Sequence, residues 1–553
     1  MTAVACAPER GDPNLGSADT IALCVGVVDV PDEALREFLL EVVEQPEGSG
    51  TTGDDDEEPE LVILAEEIRR LRGINAPGRG IKDLTGLECA QGVISVGLAN
   101  NEIEDITPLL NLTGLTQVEL SGNKVTDLSA LSKLFRLERV ALDENGVTDL
   151  RPLAGLDKLQ SLDLAKNGLS DLRPLAGLTG LRTLVLADNE IVDLQPLAGL
   201  TELFGLRLND NAIETIEPLS AMTELAFLDL EGNMIPTLTP LAAATQMREL
   251  EASRNALTSL AGVEGMTALT RLVAQENQIT TTRGVDALVQ MSVFDLGDNA
   301  VTELPGVEKM RDLRRLAIAL NRVSDISAVD GMAELRDLDV RFNDGLTDVS
   351  VVGSLPLLGF FGTGGYGQSQ DLSALAGRIV LRSLTFQDAA AGDLAFFADL
   401  PALEKVNFTD TALSTAQLEQ VALAPTLQSL GLRRTAIEDL TPLAALPLVE
   451  VLDARECMLT GVAAAAAWPR LQTLRLDDNP LESLEGLETQ EILSELQISR
   501  TAVSDLAPLA ANETFRQGDE VEAEDTELGP DDCADMATIR ERNGVVVSDV
   551  DCE

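Results

Sequence analysis

The chain has 553 residues, with 40 Lys plus Arg against 93 Asp plus Glu, so its formal net charge is −53. Such a surface repels phosphate backbones and anionic headgroups, which disfavours nucleic acid and membrane surfaces as partners. Histidine is absent, which removes Ser-His-Asp and Cys-His nucleophile pairs, His-ligated zinc and the usual acid–base group near neutral pH.

From the N-terminus, residues 1–30 read as a tail. Its "TAVACAPERGDPN" contains Ala3-Val4-Ala5-Cys6, which is similar to the end of a bacterial lipoprotein signal, where small residues precede the lipid-bearing cysteine. The apolar stretch that such signals carry ahead of this point is missing. Cys6 is thus a candidate for lipidation, with a Cys6–Cys24 disulfide as the alternative. Residues 31–70 read as a helical cap: in "VPDEALREFLLEVVEQ", Leu35, Leu39, Val42 and Val43 fall at helical spacing and Pro31 stands where helices begin. The acidic insert 46–60, "PEGSGTTGDDDEEPE" in its surroundings, is too poor in apolar residues to join a core.

The motif L-x-x-L-x-L-x-x-N then recurs from Val93 to Leu335 in steps of 22 residues, closing each time on an asparagine from Asn101 to Asn343. It resumes from Leu358 to Leu493 with steps of 22 to 24, and about nineteen repeats fit within 71–511. In "LRTLVLAD", Leu184 and Leu186 alternate with Thr183, Val185 and Ala187, the period of a strand with one buried face. One unit cannot bury its leucines alone, so neighbours must stack. The closing Asn has an amide able to satisfy both a carbonyl and an N–H of adjacent turns. Tyr366 and Ala389 occupy ladder positions poorly, which predicts a defect near 358–392. The prolines of "DLRPLAGLTG" predict short turns opposite the strands.

These residues resemble the leucine-rich repeat family, in its bacterial, internalin-like branch with 22-residue units. The resemblance implies an α/β fold: a leucine-rich repeat solenoid with a curved parallel β-sheet, a helical N-terminal cap and a small C-terminal cap. The Pro-Asp-started helix ahead of "GRGIKDLTGLE" is similar to that branch's N-terminal cap. A regulatory leucine-rich-repeat subunit of a protein phosphatase is similar in its repeat and implies a cytoplasmic protein instead.

After the array, 512–532 reads as an acidic linker and 533–553 as a cap closed by a Cys533–Cys552 disulfide, a loop worth roughly 3 kcal/mol. Cys89 and Cys457 fall at core-like repeat positions and read as buried thiols. No run of about 18 apolar residues is present to span a bilayer as a helix.

The outward strand positions form a column on the expected concave face. The candidate ligand-binding residues there are Asp163, Arg207, Phe227, Asp229, Glu251, Asp295, Asp339, Phe342 and Phe360. The recurring acids point to a protein partner with a basic patch, and the phenylalanines to its apolar anchors. Calcium held by carboxylates such as Asp229 and Glu251 is a second reading, and a solvated acidic face a third. No catalytic residue and no cofactor is expected. Cell-surface location, as a lipoprotein, goes with the internalin-like reading.

Overall fold

The computed structural model describes residues 24–43, 62–516 and 518–552. Cys6 and the acidic insert 46–60 lie outside them. The chain divides into two compact units, 1–274 and 275–553. Among the described residues the first contains ten parallel strands of three residues, from Gly73–Asn75 to Arg271–Val273, and the second twelve strands of three to eleven residues, from Val293–Asp295 to Val545–Ser548.

Register within each unit follows from the repeat. Leu162, Leu184, Leu206, Leu228 and Leu250 stand side by side in successive strands, all buried. In most strands the flanking residues are partly or fully exposed, with Val273, Asp295 and Ala317 among the exceptions, so a typical coil hides one stripe and presents two columns. Opposite the strands the chain makes three-residue 3-10 turns such as Arg151–Leu153, Arg173–Leu175 and Gln195–Leu197, each with proline at its start, where an N–H is not needed. An exception is the helix Thr415–Val421, which uses the longer step between Leu403 and Leu427 and is closed by a Ser414–Gln417 capping box.

The ladder asparagines bond as their chemistry dictates. Asn167 donates to the carbonyls of Leu142 (2.9 Å) and Leu164 (3.2 Å) and accepts from the Val147 N–H (2.9 Å). Asn123 and Asn321 likewise accept from one N–H and donate to carbonyls of the preceding coil and of their own. Thr411 and Cys457 keep only the donor half, to the carbonyls of Phe386 and Leu432. Across 358–392 the strands lengthen to Phe360–Gln370 and Ser383–Ala391, with a register shift between Gly364 and Gln368. There the amide comes from Gln370, which donates to the Leu346 carbonyl (2.7 Å) and accepts from the Thr363 hydroxyl (2.6 Å).

The N-terminal cap helix spans Glu33–Val42. Its N-cap Asp32 accepts from Leu35 N with one oxygen and from Lys82 and Asp83 N with the other, which ties the helix to the first repeat. The buried stripe is Leu35, Phe38, Leu39 and Val43, whereas Val42, expected inside, is exposed. The helix ends at Val42, and the extended Val43 turns inward in its place.

Three sequence expectations need correction. Cys89 is no free thiol: it is bonded to Cys24, with 5.5 Å between their Cα atoms, which also removes Cys24 as a partner for Cys6. Residues 512–532 are no linker, because Glu520–Ala523 forms a further strand with Val521 and Ala523 buried. Their period-two pattern was hidden by the acids around it. The cap beyond is a helix, Cys533–Glu541, and a strand, Val545–Ser548, with Cys533 bonded to Cys552. Cys457 is a buried free thiol.

Replacing Asn167 by alanine strands the Val147 N–H in a buried turn, at about 1–3 kcal/mol, and leaves the Leu142 carbonyl with the Asn145 amide (3.1 Å) as its donor. The expected outcome is a lower urea midpoint for Asn167→Ala, with Asn167→Thr falling between it and the parent because a hydroxyl still donates. Removing the Cys24–Cys89 bond, which closes a loop of 65 residues, should cost the cap about 4 kcal/mol. In the double variant Cys24→Ala with Cys89→Ala, hydrogen exchange should accelerate in Glu33–Val42 and stay unchanged in the later repeats.

Candidate functional site

In the first unit the strand Gly205–Arg207 lies between Thr183–Val185 and Phe227–Asp229, with Gly205 in register with Thr183 and Phe227. A Cβ at Gly205 would meet nothing closer than Thr183 Cγ2 at 3.9 Å, so this glycine opens a gap in an otherwise filled column. The gap is the floor of a cleft of about 500 Å³ on the sheet's open face. Its walls carry Phe204, Phe227, Arg207, Asp229, Glu251 and Arg271.

Phe204 and Phe227 meet edge to face with centroids 5.1 Å apart, yet remain 48% and 37% exposed. Such rings hold large apolar area at the surface of a chain that otherwise buries most of its phenylalanines. Asp229 gives one oxygen to the Glu231 N–H (3.1 Å). Glu251 accepts from the Ser253 hydroxyl (2.6 Å) and pairs with Arg271 at 3.4 Å. Burial pushes both carboxyls above their ordinary range, and the nearby Glu231 carboxylate adds to this for each. Arg207 makes no ion pair among the described residues and partly offsets the effect at Asp229.

Four of the nine residues singled out from sequence therefore converge here: Arg207, Phe227, Asp229 and Glu251. Asp163 stands in the same column two strands earlier, outside the cleft wall, and burial raises its carboxyl too. The other four lie in the second unit. Asp295 and Asp339 line a hollow of about 320 Å³ whose arginines already engage them: Arg315 at 3.5 Å and Arg341 at 2.7 Å. Phe342 sits at the turn after its strand, with φ 55°, its ring edge-on to Tyr366 at 5.9 Å. Phe360 borders a separate cleft with Arg336 and Arg382.

The recurrence of acids in the central column has a structural cause. Asp163, Asp229, Asp295, Asp339 and Asp453 each accept from the N–H two residues on, closing the turn that follows the strand. Sequence reasoning missed Phe204 and Arg271. The signal was available in "ELFGLRLND", because a glycine inside a strand marks a gap or a close approach. The calcium reading fares poorly at Asp229 and Glu251, with Arg271 already on Glu251. Among the described residues, three carboxylates converge to ligand distances at Asp505, Asp532 and Asp535. Asp505 and Asp532 there are bonded to main-chain N–H groups.

A stack of 22-residue coils with a ladder of buried amides and an open sheet face defines a leucine-rich repeat scaffold, a module for protein interaction. Residues 157–199 match the pattern described as leucine-rich repeats in two copies. An internalin (inlF) of Listeria monocytogenes is 31% identical, with TM-score 0.55 over 59% of this chain and 94% of that one. The chain belongs to the internalin-like leucine-rich repeat proteins. A leucine-rich repeat protein of Leptospira interrogans (18% identity, 77% of this chain and 97% of that one, TM-score 0.52) shares the fold. So does a plant peptide hormone receptor in complex with its peptide (17%, 86% and 89%, 0.53). No curated protein sequence matches the chain.

The raised Asp229 carboxyl fixes a sign. Its ionised form is disfavoured in the fold, so folding is penalised above the folded pKa, and the penalty disappears below the unfolded value of 3.8. Asp229→Asn, whose amide oxygen still accepts from the Glu231 N–H, should melt higher than the parent at pH 7. The difference should vanish near about pH 3 in thermal scans.

Proposed function

We propose that the protein is a non-enzymatic binding scaffold working outside the cytoplasm, and that the sheet face of its first unit docks a protein partner. The observation that carries this reading is the pair of exposed rings, Phe204 and Phe227, beside two half-desolvated carboxylates, Asp229 and Glu251. A partner presenting Lys or Arg next to an apolar side chain satisfies both features: the rings supply buried area and Asp229, without an ion pair among the described residues, an unshared charge. Arg207, free of ion pairs among the described residues, takes a main-chain carbonyl or carboxylate of the same segment.

The two disulfides support an oxidising compartment and weigh against the cytoplasmic, phosphatase-subunit reading. Attachment through a lipid on Cys6 completes the proposal of a cell-surface lipoprotein.

Selection of a displayed peptide library on the folded chain tests the docking face. Enriched sequences should pair Lys or Arg with an aromatic or aliphatic residue, and Phe227→Ala should weaken their binding by about tenfold or more. Selected peptides that lack a cation, yet lose binding in Phe227→Ala, overturn the charge assignment. Cation-bearing peptides that bind Phe227→Ala unchanged overturn the face itself.

A further inference from the structure

The second unit holds a cleft of opposite character. The residue entering each strand is Arg314, Arg336, Gly359 and Arg382 in successive repeats, stacked through main-chain bonds of 2.8 Å from Arg336 N to Arg314 O, Gly359 N to Arg336 O and Arg382 N to Gly359 O. Among the described residues the guanidinium groups of Arg314 and Arg336 make no hydrogen bond or ion pair, in a chain where acids outnumber bases by 93 to 40. Arg382 meets Glu404 in an exposed pair, which contributes little and exchanges readily.

Gly359 leaves the column open between two of these arginines. A Cβ there would meet only main-chain oxygens, Arg336 O at 3.7 Å and Val380 O at 3.8 Å, so the space above it is free. It is a cleft of about 450 Å³, walled by Leu357, Phe360 and Val380, with Arg336 and Arg382 on its two sides. Asp337 is the one acid in its wall. Leu357 is 37% exposed and Ile379, beside Val380, 71%. The two arginine main chains are two strand spacings apart, roughly 10 Å, a gap their long side chains close on a single carboxylate.

We propose that this cleft binds an extended acidic peptide segment. One Asp or Glu side chain of the segment lies between Arg336 and Arg382, and a neighbouring Leu- or Phe-type side chain lies against Leu357, Phe360 and Val380. The wider field of the chain repels long polyanions, so the ligand carries its charge singly. The aliphatic walls suit an apolar side chain better than the hydroxyl-covered face of a sugar. The site is independent of the Phe204–Phe227 face, lying in the other unit and preferring the opposite charge.

Fluorescence anisotropy of the full chain with labelled pentapeptides carrying one leucine beside one aspartate tests it. Saturable binding is expected, at least about tenfold weaker for the same peptides with asparagine in place of aspartate, and weaker to the same degree in Arg336→Ala. Gly359→Val fills the cleft without main-chain strain and should abolish binding while its melting temperature stays at the parent value. Phe227→Ala should bind as the parent does. Absence of saturable binding, equal affinity for the aspartate and asparagine peptides, or undiminished binding by a folded Gly359→Val overturns the proposal. Stronger binding of short uronic-acid oligomers than of any peptide overturns the peptide assignment.

Discussion

Everything in this fold depends on one amide. A strand of three residues followed at once by an inward turn leaves main-chain groups facing a dry interior, where each unpaired one costs about 1–3 kcal/mol. Asn is the side chain that brings a donor pair and an acceptor to that point together. Because Asn167 reaches the Val147 N–H and the Leu142 carbonyl in the preceding coil, it fixes the spacing between coils as well as closing its own turn. The residue just before the ladder position adopts positive φ in coil after coil, as at Lys166, Asp188 and Asp210. That backbone cost is tolerated because the amide beyond it is so well bonded. Where the amide moves to Gln370, the strands run on past the usual turn.

The same reasoning changes the meaning of the net charge. A second column of aspartates, including Asp105, Asp127, Asp149, Asp171 and Asp193, accepts the N–H that opens each 3-10 turn on the far side of the coil. The Arg151 and Arg173 guanidiniums, with those N–H groups, hold Asp149 and Asp171 down to about 2, so both stay ionised at any ordinary pH. Together with the acids that close the turns after the strands, these columns place a capping carboxylate in many coils and two in a few, as with Asp163 and Asp171 or Asp339 and Asp348. Part of the −53 is thus the electrostatic by-product of stacking one capped coil many times.

The fold was legible because its signal is periodic: a leucine stripe and an amide every 22 residues admit one arrangement. The ends were harder. Glu520–Ala523 alternates as a strand should, but two residues of apolar signal in an acidic stretch are weaker than the composition around them. The Cys24–Cys89 bond escaped notice because Cys89 occupies a core position in its repeat, and only the folded cap brings Cys24 beside it. For the site, the column was read correctly as a column, since register follows from the period. What the sequence concealed was which members of it are occupied: Asp339 looks like Asp229 until Arg341 is seen to cover it.

A repeat array has a particular problem in making a site at all, because identical coils present filled, shallow columns. Here the gap comes from glycine, and its chemistry from the neighbours. Glycine alone is not sufficient. A Cβ at Gly97 would strike the Asn75 amide at 2.7 Å, and one at Gly362 the Asp339 carboxylate at 2.8 Å, so long side chains from the preceding coil already fill those places. Gly205 and Gly359 differ because what precedes them is a short threonine in one case and, in the other, an arginine whose side chain comes no nearer than 4 Å. Both gaps sit beside apolar side chains that stay at the surface, where a ligand can bury them. One is edged by half-buried carboxylates and the other by arginines, so a single device of chain geometry yields two clefts with differently charged edges on a scaffold whose coils are otherwise nearly alike.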